Sequence, residues 1–385
     1  MKVSVSIFGR FHFFDLARQL NQKNLLHQLI TTYPKFKAKE WGIASKQTIS
    51  LIILELLRRV ISKTKFFNII NPVLKQIYGY LSFKLMDKDI DVFIFFAGNG
   101  FNYTLMKKLQ SRGVICIVDE GSAHILSQRR LLEEEYKQLG LEYKNKQSKR
   151  LLDETLLEYN SSDYIVVPSL FVKSTFIEQG INNDKILVNP YGVDLSQFKQ
   201  IEKKDDVFRV IYCGRLSIQK GSHYLLQAIY ELEIDDFELW HIGGVEDEMT
   251  PFIKKYKANN ILYKGTHPQA ELYKFYSQGS AFILPSIQDG FGMVIFQAMA
   301  CGLPVVLSEN TGAYDVVTKD GEEGFVIPIR SVEAIKEKIK YLYENQDICI
   351  EMGRKAKRRV SYGFTWDDYG KRYIDFLKKI QKNII

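Results

Sequence analysis

Residues 281–308 read AFILPSIQDGFGMVIFQAMACGLPVVLS, and the reading of this stretch decides the fold. The apolar run 281–284 has the composition of a buried strand, and Pro285 stops it. Beyond Gly292, the side chains Met293, Ile295, Phe296, Met299 and Ala300 recur at helical spacing. Gly302 stands where a helix end favours a left-handed residue, and Pro304 bars continuation. Residues 305–307 then read as a second buried parallel strand. Such a unit aims the amide-rich start of its helix beyond the strand ends, where the helix dipole favours an anion. Gly290 and Gly292 let backbone come close to a ligand there, and Asp289 and Gln297 flank the helix start, eight positions apart. A carboxylate, free amides and a carboxamide around one helix start suit a sugar attached to a phosphorylated nucleoside. The same residues also suit a well-packed βαβ unit with no ligand.

Working outward, the chain repeats this grammar in both halves. Strand patterns at 2–8, 25–31, 91–96, 114–118, 163–167 and 185–189 alternate with helices in the first half. The charged run KQIEKKDD at 199–206 marks a boundary, after which strands restart at 208–213, 237–242 and 261–264. The expected fold class is α/β: two tandem doubly wound, Rossmann-like domains facing across a cleft. The first domain spans 1–198, with a basic helical insert at about 34–88, and the second spans 207–361. A closing helix covers 362–385, rich in Trp366, Tyr369, Tyr373 and Phe376.

Composition bounds the classes. A chain of 385 residues with 46% hydrophobic and 25% charged content is globular and long enough for two cores. Cys116, Cys213, Cys301 and Cys349 are scattered without a CxxC pair, which argues against a disulfide framework and for a reducing compartment. The first apolar run is too short for a signal peptide, so the expected location is cytoplasmic. The net charge of +8 is concentrated: residues 34–88 hold eleven Lys and Arg against three acids, leaving 42 of each sign elsewhere. Within this segment 49–61 is apolar apart from a stripe of Glu55, Arg58 and Arg59. It reads either as a core helix with a narrow solvated stripe or as a helix in peripheral contact with an anionic membrane, and it is too short to span a bilayer. No nucleic-acid recognition module accompanies the charge, so nucleic acid is not an expected partner.

Several residues stand where chemistry is needed. The loop GRLSIQKG, 214–221, puts Arg215 and Lys220 just past a strand, beside a helix start whose dipole disfavours cations. An anion between them, such as a diphosphate, resolves the misfit; two ordinary surface cations are the alternative. His124 follows a strand end and a Gly-Ser turn in which Ser122 is the expected N-cap, with Gln128 one turn on. It reads either as a ligand to sugar or acceptor or as a helix-start residue. Asp119 and Glu120 precede it without an assignable role. Gly9, ending the first strand, permits close backbone approach or is an ordinary strand-end glycine. His12, three residues on, reads as lining the same cleft, and His267 follows the strand 261–264. The P-loop, the dinucleotide-binding glycine pattern and the Gly-x-Ser-x-Gly elbow are missing, and no His, Cys and acid cluster has metal-ligand spacing.

The stretch GFGMVIFQAMACGLPVV together with GRLSIQKG resembles the signature of glycosyltransferase family 4, retaining enzymes of the GT-B fold within glycosyl transferases group 1. Its acidic motif is E-x7-E, and this sequence departs from it twice, with Asp289 and Gln297. The resemblance implies a nucleoside-diphosphate sugar donor and a glycan, lipid-linked or protein-linked acceptor. It implies that Arg215 and Lys220 hold the diphosphate, that Asp289 approaches the transferred sugar, and that Gln297 faces the ribose. Phe291, Gly292, Met293 and Val294 would present backbone to sugar and phosphate. His267 would lie near the base, Gly9 near the donor phosphate, and His124 near sugar or acceptor. No metal is implied, because cations and a helix start neutralise the leaving group. The two departures leave open a nucleotide-sugar-binding protein without turnover, and a related fold leaves open an epimerase.

Overall fold

The computed structural model describes residues 1–62, 64–98, 100, 103–144, 148–234 and 236–382. Lys63 of the basic insert and the last three residues of the expected closing helix lie outside them. The first sheet holds β1 (Val3–Ile7), β2 (Leu26–Thr31), β3 (Thr48–Ser50), β4 (Val92–Phe95), β5 (Ile115–Asp119), β6 (Tyr164–Val167) and β7 (Ile186–Val188). The second holds β8 (Phe208–Cys213), β9 (Phe237–Ile242), β10 (Ile261–Gly265), β11 (Ala281–Leu284), β12 (Val305–Ser308) and β13 (Gly324–Ile327). The strand orders are β3-β2-β1-β4-β5-β6-β7 and β10-β9-β8-β11-β12-β13, with parallel pairing throughout the named strands. Helices cover both faces, which is why strands such as VFIF and AFIL are apolar at every position and wholly buried. The order reverses between β1 and β4 and again between β8 and β11. Loops leaving the carboxyl ends of these pairs frame the crevices where such sheets bind ligands.

Two parts of the chain differ from the sequence expectation. The segment 49–61 is not one helix. Its first residues belong to β3, which pairs with Leu29, Ile30 and Thr31 of β2, and the helix runs Ile52–Ile61. The charged stripe is only partly solvated. Glu55 is buried and accepts from Arg58 at 2.8 Å and Arg59 at 2.8 Å, while Arg58 is half-buried and Arg59 exposed. Ile53, Leu56, Leu57 and Val60 face outward as well. The closing segment is likewise shorter than 362–385, because Tyr362 is extended and the helix begins at Trp366.

That last helix, Trp366–Lys382, lies on the first domain. It packs along the helix Phe13–Gln22, where Gln19 donates to Asp367 at 2.8 Å. Arg372 donates to Asn189 Oδ1 at 2.8 Å and to the Pro190 carbonyl at 2.7 Å. A Cβ on Gly192 would sit 2.4 Å from the Trp366 nitrogen, so only glycine admits the crossing chain there.

A second tie between the domains is buried. Glu135, on the first-domain helix Ile125–Gln138, accepts from His223 Nε2 at 2.8 Å and from Arg330 Nε at 2.6 Å, both second-domain residues. Burial works against its charge, but these hydrogen bonds outweigh it and hold the carboxyl below the usual glutamate range. Truncating one member of a buried set strands the others. Glu135→Ala should therefore lower the unfolding free energy by about 3 kcal/mol in chemical denaturation. A loss under about 0.5 kcal/mol would mean that the tie carries little.

Candidate functional site

The site starts from two loops at the β8/β11 switch point. Gly221 adopts φ +62°, and a Cβ there would lie 1.9 Å from the Pro285 carbonyl oxygen. Only glycine lets the loop after β8 press onto the loop after β11, and the Ile287 amide donates to the Gln219 carbonyl at 3.0 Å beside it. This approach delivers Lys220 to Asp289, and the two form an ion pair. Arg215 projects from the same loop, mostly exposed, and pairs with Glu246. Gly292, at φ +67°, opens the helix Met293–Ala300. On that helix Gln297 is buried, and its Oε1 accepts from the Tyr276 hydroxyl at 3.2 Å. The carbonyl end of the amide is thereby engaged. Phe291 is buried between Tyr191, with ring centroids 5.8 Å apart, and Phe296, at 4.6 Å.

The first domain supplies the opposite wall. Gly9 has φ +112° with open space where a Cβ would be, and its carbonyl accepts from Thr31 Oγ1 at 2.6 Å. His12 stands at the N-cap position of the helix Phe13–Gln22 without a side-chain capping bond and is buried, 2.8 Å from Asp119 Oδ1. Glu120 is also buried, accepting from the Tyr159 hydroxyl at 2.8 Å and the Ser122 amide at 3.2 Å. Burial raises its carboxyl to about 7, with those hydrogen bonds pulling the other way. His124, not Ser122, is the N-cap of the helix Ile125–Gln138: its Nδ1 accepts from the Leu126 amide at 3.3 Å. Its ring packs on Tyr159 and Phe176, at 5.1 Å and 5.0 Å, and burial lowers it to about 4, so the imidazole is neutral at pH 7. Ser122 loses the cap because the turn before the helix is longer than its spacing implies.

Of the expected site residues, Met293, Val294 and Gln297 line one cavity and Arg215 and Lys220 another, while Gly9, His124, Asp289, Phe291 and Gly292 line neither. The first, of about 760 Å³, is lined by Arg10, His12, Asp15, Met293, Val294 and Gln297. The second, of about 1150 Å³, is lined by Gln128, Arg129, Tyr136, Arg215, Lys220 and Glu246. The Asp289 carboxylate pairs with Lys220, which lines the second, and Met293, four positions along the chain, lines the first. Beside Asp289 the domains touch backbone to backbone: a Cβ on Gly290 would lie 1.9 Å from the Gly121 carbonyl oxygen. Ser169 Oγ donates to the Gly290 carbonyl at 2.6 Å. His267 stands apart from both linings. Its Nε2 lies 2.8 Å from the Lys264 carbonyl and its ring on Phe275, while Pro268 and Gln269 reach the smaller cavity. Among the described residues no three His, Cys, Asp or Glu are gathered as metal ligands.

Sequence reasoning missed four participants. Tyr276, which orients Gln297, and Glu246, which holds Arg215, carry no motif. His223 lies two positions past the loop 214–221, and that proximity was the one usable signal for it. Glu135 sits among exposed charges on an ordinary-looking helix, so nothing local marks it as buried.

Two parallel-sheet Rossmann-like domains, opposed across a crevice and strapped together by the last helix, are the GT-B architecture of glycosyltransferases. Residues 194–359 match the family model for glycosyl transferases group 1. The chain is 26% identical over 254 residues to the capsular polysaccharide biosynthesis glycosyltransferase CapM of Staphylococcus aureus, covering 59% of this chain and 65% of CapM. It thus spans slightly less than two thirds of that relative. Among solved structures, sucrose-phosphate synthase from Thermosynechococcus elongatus superposes with a TM-score of 0.71 at 15% identity, covering 100% of both chains. HepE of Anabaena, solved in complex with UDP-glucose, superposes with a TM-score of 0.68 at 15% identity over 98% of this chain and 100% of its own.

The buried Glu120 gives a pH signature. In the unfolded chain it titrates near 4.5, and in the folded chain near 7, so between these values only the folded state holds the proton. Stability contributed at this site is present below pH 4.5 and is lost as pH rises towards 7. Glu120→Gln, a neutral stand-in for the protonated acid, should flatten that decline. At pH 8 it should exceed the wild type by up to about 3 kcal/mol. Parallel wild-type and variant stability curves between pH 5 and pH 8 would contradict this.

Proposed function

We propose that the protein transfers a sugar from a nucleoside-diphosphate donor to a hydroxyl of a glycan, lipid-linked or protein-linked acceptor, with retention of configuration. The observation that carries this reading is the ion pair of Lys220 with Asp289 at the β8/β11 switch point, with Arg215 beside Lys220 in one cavity and the helix Met293–Ala300 starting four positions past Asp289. The donor nucleoside would occupy the Met293–Gln297 side, and the transferred sugar would lie at Asp289. The Lys220–Asp289 pair is the resting arrangement: a diphosphate would compete for the lysine and free the carboxylate for sugar hydroxyls.

In the proposed step the acceptor oxygen attacks the anomeric carbon from the face the diphosphate leaves. The bond from anomeric carbon to phosphate oxygen breaks as the new glycosidic bond forms. The acceptor proton passes to an oxygen of the departing diphosphate, whose growing charge Arg215, Lys220 and the helix start meet. No metal step is invoked. His124, neutral and fixed as a cap, would present its remaining N–H as a donor rather than act as a base. The crystallised HepE complex makes a uridine diphosphate sugar the first donor to test. A second reading, a nucleotide-sugar-binding protein without turnover, draws on the engaged Gln297 amide and the shortened Asp289.

The test is release of nucleoside diphosphate in the presence of acceptor, with the anomeric configuration of the product read by NMR. Lys220→Ala should lower kcat by about a hundredfold, as expected for loss of one charge-stabilising group. Near-wild-type turnover at saturating donor would remove Lys220 from its role. Tight donor binding by the wild type with no transfer would favour the second reading.

A further inference from the structure

The hairpin formed by the helices Ile52–Ile61 and Phe67–Leu85 offers solvent an apolar face. On the first helix Ile53, Leu56 and Val60 recur at helical spacing and are 70%, 55% and 70% exposed. On the second Ile69, Val73 and Ile77 do the same, at 69%, 49% and 42%. Two adjacent stripes of this kind mark an interaction surface rather than a free one. The inner side of the hairpin is already committed. Tyr78 is buried, with its hydroxyl donating to the Ile30 carbonyl at 2.9 Å, and Lys75 Nζ donates to the Gly98 carbonyl at 3.2 Å.

The charge around this face selects its occupant. Residues 34–88 carry eleven Lys and Arg against three acids in a chain otherwise balanced. All three acids are engaged: Glu55 with Arg58 and Arg59, Glu40 with Lys37, and Asp87 with His27. Lys35, Lys39, Lys46, Lys65 and Lys84 are left exposed around the segment. An apolar face within a cationic segment complements an anionic bilayer, whose acyl boundary takes the aliphatic side chains and whose headgroups take the lysines. A second copy of the chain would fit the apolar stripes but would bring two positive surpluses together. Among the described residues no helix is long and apolar enough to cross a membrane, so the contact is one of lying on it.

We propose that the outer face of this hairpin docks the protein on an anionic lipid bilayer. The hairpin borders the crevice wall of the first domain, since Tyr78 packs on Phe8 just after β1, with ring centroids 5.2 Å apart. The bilayer would therefore lie beside the acceptor side of the cleft. The docking does not depend on the transfer reading.

Co-sedimentation with vesicles tests it, comparing phosphatidylcholine alone with phosphatidylcholine containing roughly a third phosphatidylglycerol. The wild type should bind the anionic vesicles at least about tenfold better than the neutral ones, and raised salt should weaken binding. The triple variant Ile53→Glu, Val60→Glu, Ile69→Glu alters only exposed positions and should lose at least about tenfold in binding to anionic vesicles. Its thermal midpoint and nucleotide binding, measured separately, should match the wild type. A wild type that stays in the supernatant, or a triple variant that binds equally, overturns the proposal. So does a wild-type dimer that the variant dissociates, which would assign the face to a second copy.

Discussion

The approach of Gly221 to the Pro285 carbonyl is the constraint on which the site depends. A side chain at position 221 would force the two loops apart, and with them Lys220 and Asp289, which are 69 positions apart in the chain. The neighbouring Gly243 works in the same way, since a Cβ there would lie 2.0 Å from the Gly214 oxygen and displace the loop that carries Arg215. Charge is thus positioned by backbone packing. Lys220, Arg215 and Asp289 stand on loops after strand ends whose separation is set by glycine.

The same economy operates between the domains. Gly290 meets Gly121 backbone to backbone, and Gly192 admits the crossing chain at Trp366. These contacts keep the crevice narrow, while Glu135 with His223 and Arg330 and the helix Trp366–Lys382 hold the two halves together at its sides. The ion pair of Asp289 with Lys220 and the domain contact at Gly290 thus sit on one loop.

Much of this was legible in the sequence because it is written in local patterns. The apolar runs, Gly302 and Pro304 place β11, the helix and β12, and the glycines at 214 and 221 mark the loop that carries the cations. What was not legible depends on distant partners. β3 is three residues long and exists because β2 offers it an edge, so it was absorbed into the helix that follows. In the stripe of Glu55, Arg58 and Arg59 the arginines are solvated as their charge suggests, but Glu55 is buried because both of them close on it. His124 became a cap through the local path of the turn, and the buried role of Glu135 appears only when the second domain is present.

Calorimetric titration of UDP, GDP and ADP against the wild type and Lys220→Ala decides whether this crevice holds a nucleoside diphosphate. One of these diphosphates should bind the wild type and bind the variant at least about tenfold more weakly, the loss of one charge-assisted contact. Equal affinity for the two proteins, or no binding by the wild type to any of the three, would contradict the account of this crevice as a nucleoside-diphosphate site.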